Sequence, residues 1–160
     1  MTSVTEKTPS LVTQAAMQEA RQMSSNINYE FIFNELIRSV KHITQNPDLY
    51  DNYSAAMPTL SLIKEIHTVG LKSGRQTGLT TSVKSFVVKN NEACVLSDMP
   101  IVYDGVNCIN PIYEIPSQLA DRQYTIFFID IVLNKNPSIK DIFFSKLYEI
   151  VGKDLVIVEV

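Results

Sequence analysis

Three of the chain's five glycines, Gly70, Gly74 and Gly78, fall in one short stretch, interleaved with Lys72, Ser73, Arg75, Gln76 and Thr77 and followed by Thr80 and Thr81. Residues of these types at this spacing can hold a phosphate. Glycine lets the backbone turn tightly so that successive N–H groups point inward, and a helix starting just after the loop presents the positive end of its dipole. Lys72 and Arg75 supply cations, and the hydroxyl of Thr80 or Thr81 can reach a magnesium ion. A second signal lies downstream, where the apolar run from Tyr124 to Ile129 ends in Asp130. A carboxylate at the carboxyl end of a buried parallel strand stands where ligands bind in open α/β sheets, and it can hold magnesium directly or through water. The plain alternatives are a glycine-rich turn that merely joins a strand to a helix, and a solvated aspartate at a strand end.

Against the Walker A pattern Gly-x-x-x-x-Gly-Lys-Ser/Thr, Ser73 takes the first position, Gly78 the second, Leu79 the lysine position and Thr80 the hydroxyl position. On Ser73, Arg75, Gln76, Gly78, Thr80 and Thr81 the segment resembles the P-loops of tailed-bacteriophage large terminase subunits and related helicase-like ATPases. Some terminases carry the loop lysine ahead of the serine, with a bulky residue in its usual place, and Lys72-Ser73 before Gly78-Leu79-Thr80 is similar to that arrangement. The resemblance implies ATP and Mg2+ as cofactors. It puts Lys72 and Arg75 on phosphate, the residues from Ser73 through Gln76 and Thr77 to Gly78 in the cradle, Thr80 or Thr81 on the metal, and Asp130 in the metal's outer shell. In the family the acidic strand ends in Asp-Glu. Asp130 matches the aspartate, but Ile131 stands where the catalytic glutamate would be, so hydrolysis is expected to be weak or absent.

The resemblance runs from residue 59 onward and stops one strand after Asp130, short of the further strands, coupling motif and nuclease domain of a full terminase. Packaging of a genome by this chain alone is therefore not expected. Two functions remain in view. One is an ATP-binding, weakly hydrolysing phage-type protein, with a homo-oligomer in view in which a neighbour completes the site with a cation; the other is a viral structural or accessory protein on a degenerate P-loop scaffold, which docks on a protein partner through its N-terminal helices.

The elements that must position these residues follow from hydrophobic period. Residues 1–10 read as a flexible tail, and residues 11–58 as an N-terminal helical segment: a helix from Leu11 to Met23, then one from Asn28 to Thr44 with Asn28 as N-cap and Phe33, Leu36, Ile37, Val40 and Ile43 on its apolar face. Asn46-Pro47-Asp48 is expected to end that helix and to open a turn-like stretch to Pro58, leaving Tyr50 and Tyr53 free to pack or to stack on a base. From residue 59 to 160, short apolar runs alternate with helical segments. Strands are expected at Ile66–Leu71, Ala93–Ser97, Thr125–Leu133 and Leu155–Val160, and helices at Thr77–Lys89 and Ser138–Val151. Ser138 and Asp141 read as a capping pair, and Ile139, Ile142, Phe143, Leu147 and Ile150 as one face. This alternation predicts an α/β fold, a small P-loop-like three-layer sandwich with a mostly parallel sheet.

Bulk properties bound the function. A length of 160 residues suits one domain. The net charge of −3 argues against a surface that is one broad nucleic-acid footprint, although Lys64, Lys72, Arg75, Lys84 and Lys89 against Glu65 make the glycine region locally basic. Cys94 and Cys108 lack metal or disulfide spacing, and neither a secretory leader nor a membrane-spanning run is evident, so a cytoplasmic setting without membrane is expected, host cytoplasm if the protein is viral. His42 reads as exposed and His67 as packed or hydrogen-bonded. Asp98 stands at a second strand end, and Glu159 is a candidate replacement for the absent glutamate.

Overall fold

The computed structural model describes residues 10–15, 27–71, 78–110, 123–130 and 137–160. The short helical stretch at residues 11–15 begins where a helix is expected; the rest of that expected helix lies outside the described residues. Helix α1 (Tyr29–Thr44) follows, its N-terminus closed by the Asn28 side chain, which accepts from Phe31 N–H at 3.0 Å. Such a cap is worth about 1 kcal/mol. The periodic apolar positions do what their spacing requires: Phe33, Ile37 and Val40 are buried, with Leu36 packed beside them.

Asn46-Pro47-Asp48 does end α1, but the expected turn is a second helix, α2 (Pro47–Ala56). The correction has a local cause. Proline is pre-organised for the first helical position, the Asn46 side chain accepts from Leu49 N–H, and Asp48 complements the helix dipole from the first turn. A short helix α3 (Thr59–Leu62) runs into a π-helical turn (Ile63–His67) and then β1 (Thr68–Gly70). The expected strand from Ile66 is thus shorter, because its first residues stay helical and bury Ile63, Ile66 and His67.

Next come α4 (Leu79–Lys89), β2 (Ala93–Leu96), a 3-10 turn (Pro100–Tyr103) and β3 (Cys108–Ile109). After β4 (Ile126–Ile129) the chain forms α5 (Pro137–Val151), a 3-10 turn (Gly152–Asp154) and β5 (Val156–Glu159). The five strands form one sheet in the order β1-β5-β4-β2-β3, and every pairing is parallel. β2 and β4 are buried along their whole length, which is why they read as continuous apolar runs.

Helices cover both faces. On one, Ala93, Val95, Ile126, Phe128, Val156 and Val158 pack against α1 and α4. Phe33 meets Phe86 and Phe128 edge-on at 5.6 and 5.1 Å, and Phe86 meets Phe128 at 5.4 Å; each such pair contributes about 0.5–1.5 kcal/mol beyond its burial. On the other face Cys94, Leu96, Phe127, Ile129, Leu155 and Ile157 pack against Phe143, Phe144 and Leu147 of α5. The expected face of α5 is corrected in part, since Ile139, Ile142 and Ile150 are exposed and Phe144 is buried instead. Asp141 is not a capping partner: α5 already starts at Pro137, and Asp141 pairs with Lys64 at 2.6 Å. No described helix is long and apolar enough to cross a membrane.

Candidate functional site

A parallel sheet gathers the carboxyl ends of all its strands along one edge. The residue after β4 is Asp130, the residues after β2 are Ser97 and Asp98, and the chain leaving β1 reaches the glycine segment before entering α4. Alternation along the strands decides the face. Asp130 continues the Ile126-Phe128 series and Ser97 the Ala93-Val95 series, so both belong to the side covered by α4.

Gly78 is the N-cap of α4 with φ 78°, in the left-handed region. A Cβ there would meet nothing within 4 Å, so glycine is required by backbone conformation rather than by space. Gly78 has no side chain to cap the helix, and no acidic residue lies in its first turn, so the positive end of α4 is left to whatever lies before it. Leu79, at the Walker lysine position, packs against the apolar core. Thr80 and Thr81 on the first turn are both exposed. Lys72, Ser73, Gly74, Arg75, Gln76 and Thr77 lie outside the described residues, as does Ile131.

Thr80 and Asp130 both lie near a third residue. Tyr103, on the 3-10 turn and only 3% exposed, donates its hydroxyl to Asp130 Oδ2 at 3.0 Å, and the Thr80 side chain stands near enough to the same hydroxyl to act on its protonation. Burial first, then the Asp130 carboxylate, hold the Tyr103 hydroxyl far above the ordinary phenol range, and the nearby Thr80 pulls the other way. Tyr103 is therefore a neutral donor at any ordinary pH.

The surroundings are polar but not nucleophilic. Ser97 is fully buried, and its Oγ accepts from Met99 N–H at 3.0 Å, fixing the start of the 3-10 turn. Cys108 lies close by with its thiol pushed up, by burial first and also by the Asp130 charge, so it is not poised as a thiolate. Asp98 stands at the same edge, as expected, with Oδ1 buried and without a hydrogen-bond partner. Among the described residues no group of three or more His, Cys, Asp and Glu could hold a metal ion. Magnesium needs no such cage, because it binds through one or two carboxylates together with substrate phosphates.

Three sequence candidates are placed elsewhere. Glu159 lies on the opposite face, ion-paired with Lys140 beside a cleft of about 370 Å³ that also holds the Lys64–Asp141 pair. Tyr50 belongs to the amino edge, where its hydroxyl lies 2.8 Å from His67 Nε2 and 2.8 Å from the Tyr148 hydroxyl, so it does not stack on a ligand at the glycine segment. His67 is hydrogen-bonded and buried as its setting predicts, although it ends the π-helical turn rather than lying in a strand. Of the basic residues near the glycines, Lys64 and Lys89 are paired, with Asp141 and Glu30.

Tyr103 is the residue that sequence reasoning missed. Its only local mark is the turn that follows, Asp104-Gly105, with Gly105 at φ 83°. Nothing in its spacing ties it to Thr80 or Asp130. Comparison with family models, with curated proteins and with solved structures found no match for this chain.

Proposed function

We propose that the carboxyl edge of the sheet binds a nucleoside triphosphate of the ATP type with magnesium, and that hydrolysis there is weak or absent. One observation carries the reading: Asp130 lies at the carboxyl edge of the sheet on the side covered by α4, the helix whose first turn carries Thr80 and whose positive end has no side-chain cap. Asp130 and Thr80 both offer hard oxygen atoms, the ligand type that magnesium selects. The loop with Lys72, Ser73, Gly74, Arg75, Gln76 and Thr77 leads into Gly78 at the positive end of α4, and phosphate is the ligand such a helix start favours. Magnesium, when bound, would neutralise phosphate charge. The chain's own groups would orient the triphosphate: Lys72 and Arg75 by charge, the loop amides by hydrogen bonding, Thr80 and Asp130 by holding the metal.

Weak turnover follows from the acids. Ile131 cannot polarise water, and Glu159 is committed to Lys140 on the other face. A phage-type P-loop protein acting as a nucleotide-dependent accessory or assembly factor fits this balance, and the terminase resemblance of the loop supports it.

Equilibrium binding of labelled ATP tests the reading. The wild type should bind with magnesium. The Lys72→Ala, Arg75→Ala double variant should bind at least about tenfold more weakly, since each charge-assisted hydrogen bond is worth about 1.5–3 kcal/mol. The Asp130→Asn variant should lose the magnesium dependence. Binding without release of phosphate is the expected outcome; no binding by the wild type would remove the proposal.

A further inference from the structure

We propose that the cleft between the start of α5 and β1 binds a small zwitterion of the free α-amino acid type, a molecule carrying one ammonium and one carboxylate. The site is separate from the nucleotide position, since Phe144, which lines the cleft, belongs to the core on the face opposite α4.

The walls alternate in charge. Three elements supply them: Lys64 from the π-helical turn, Lys140 and Asp141 from the beginning of α5, and Glu159 from the end of β5. Lys140 and Asp141 are neighbours in sequence, yet each turns to a different element, Asp141 to Lys64 and Lys140 to Glu159. The two pairs therefore run in opposite directions from α5, and their charges cancel. A lone anion entering the cleft gains two ammonium groups but meets two carboxylates, and a lone cation meets the reverse. A ligand with both signs satisfies all four: its carboxylate faces Lys64 and Lys140, and its ammonium faces Asp141 and Glu159.

One wall atom is short of a hydrogen bond. Asp141 Oδ1 lies 2.6 Å from Lys64 Nζ but off the hydrogen-bonding direction, so it is buried without a hydrogen-bond partner. Buried carboxylate oxygens are ordinarily satisfied, and an incoming ammonium with three N–H donors supplies what the lysine does not. The second pair is more enclosed, with the Lys140 and Glu159 side chains 20% and 27% exposed, so contacts made there are little screened by salt. Phe144, buried and with Lys140 Nζ 5.4 Å over its ring, gives an apolar floor for the ligand's side chain. The volume of about 370 Å³ suits a molecule of this size, at the small end for ligand pockets. The turn carrying Lys64 points the same way, because π-helical turns are rare and recur at functional sites. Thr68 Oγ1 holds this one, donating to the Ile63 carbonyl at 2.8 Å.

Half-ligands test the proposal. L-valine should bind the wild type saturably in the millimolar range. Isovalerate, which lacks the ammonium, and isobutylamine, which lacks the carboxylate, should each bind at least about tenfold more weakly, the worth of the lost charge-assisted hydrogen bonds. Backbone amide shifts on adding valine should be largest at Lys64, Lys140 and Asp141 and small from Leu79 to Thr81. This measurement uses the wild type alone and does not depend on a variant folding. The second reads charge preference. Glu159→Gln leaves the walls net positive, so valine should bind about tenfold more weakly and isovalerate more tightly than to the wild type. Loss of a merely structural ion pair would not create that preference. No saturable valine binding, valine no tighter than its halves, or the largest shifts away from the cleft would overturn the proposal, as would a Glu159→Gln variant that binds acid and amine equally weakly.

Discussion

The two edges of the sheet each carry a hydrogen-bonded chain of side chains, and they are built to opposite ends. At the amino edge, His67 Nδ1 donates to the Leu155 carbonyl at 2.7 Å, Nε2 accepts from the Tyr50 hydroxyl, and Tyr50 accepts in turn from Tyr148. The imidazole is fully buried and meets both tyrosine rings edge-on at 5.5 and 5.3 Å. It joins the residue before β1, the residue before β5, α2 and α5. At the carboxyl edge the chain is shorter, Tyr103 donating to Asp130 at 3.0 Å, and it ties a short turn to the end of β4 beside the exposed Thr80. The first chain runs from a buried carbonyl through a buried imidazole and ties four elements together. The second ends where a ligand can enter, which is what a polar network must do if it is to exchange partners.

Truncation should separate the two most sharply. His67→Ala leaves the Leu155 carbonyl and the Tyr50 hydroxyl short of a buried partner and opens a cavity, so a loss of about 3 kcal/mol is expected in denaturant unfolding. Asp130→Asn, at the open edge, should change stability by less than about 0.5 kcal/mol. A comparable loss from both would erase the distinction between a structural and an exchangeable chain.

Acid should separate them next. Burial lowers the His67 pKa below its usual 6.5, against the opposing pull of the Leu155 carbonyl. An unfolded chain therefore takes up a proton at His67 that the native chain refuses. Stability is full above about pH 6.5 and declines as the pH falls from there toward the lowered native value, below which this contribution is constant. Unfolding midpoints of the wild type should drop over that window, and His67→Gln should flatten the drop.

A smaller contrast than the His67 truncation belongs to the helix start. Gly78→Ala places a Cβ at φ 78°, a strain of about 1 kcal/mol. Thermal melting should register it, while Gly70→Ala, with no positive φ and open space around its Cβ, should be nearly silent.

Much of the fold was legible because burial imposes period. Phe33, Ile37 and Val40 announced α1, and the run from Ile126 to Ile129 announced a strand buried on both faces. What failed were residues whose meaning depends on context. Pro47 reads equally as the end of one helix and the start of the next, and the cap from Asn46 decided for the start. The carboxyl-edge placement of Asp130 was legible from its position after an apolar run. Tyr103 was not: a tyrosine before a turn becomes a buried donor only because β3 and β4 both flank β2. That juxtaposition is a property of strand order, which no local pattern encodes.

Strand order has one further consequence, and it concerns time. Among the described residues β1 has a single strand partner, β5, and β5 in turn joins it to β4 through the registers Thr68↔Ile157 and Ile126↔Val156. β5 follows every other described element in the sequence. During synthesis the strand that launches the glycine segment is thus the first of the five to be made and must wait for the fifth before its backbone is paired. Loop-closure entropy makes such distant pairing slow. Until residues 156–159 leave the ribosome β1 is without its partner, although β2, β3 and β4, which position Tyr103 and Asp130, can already pair with one another.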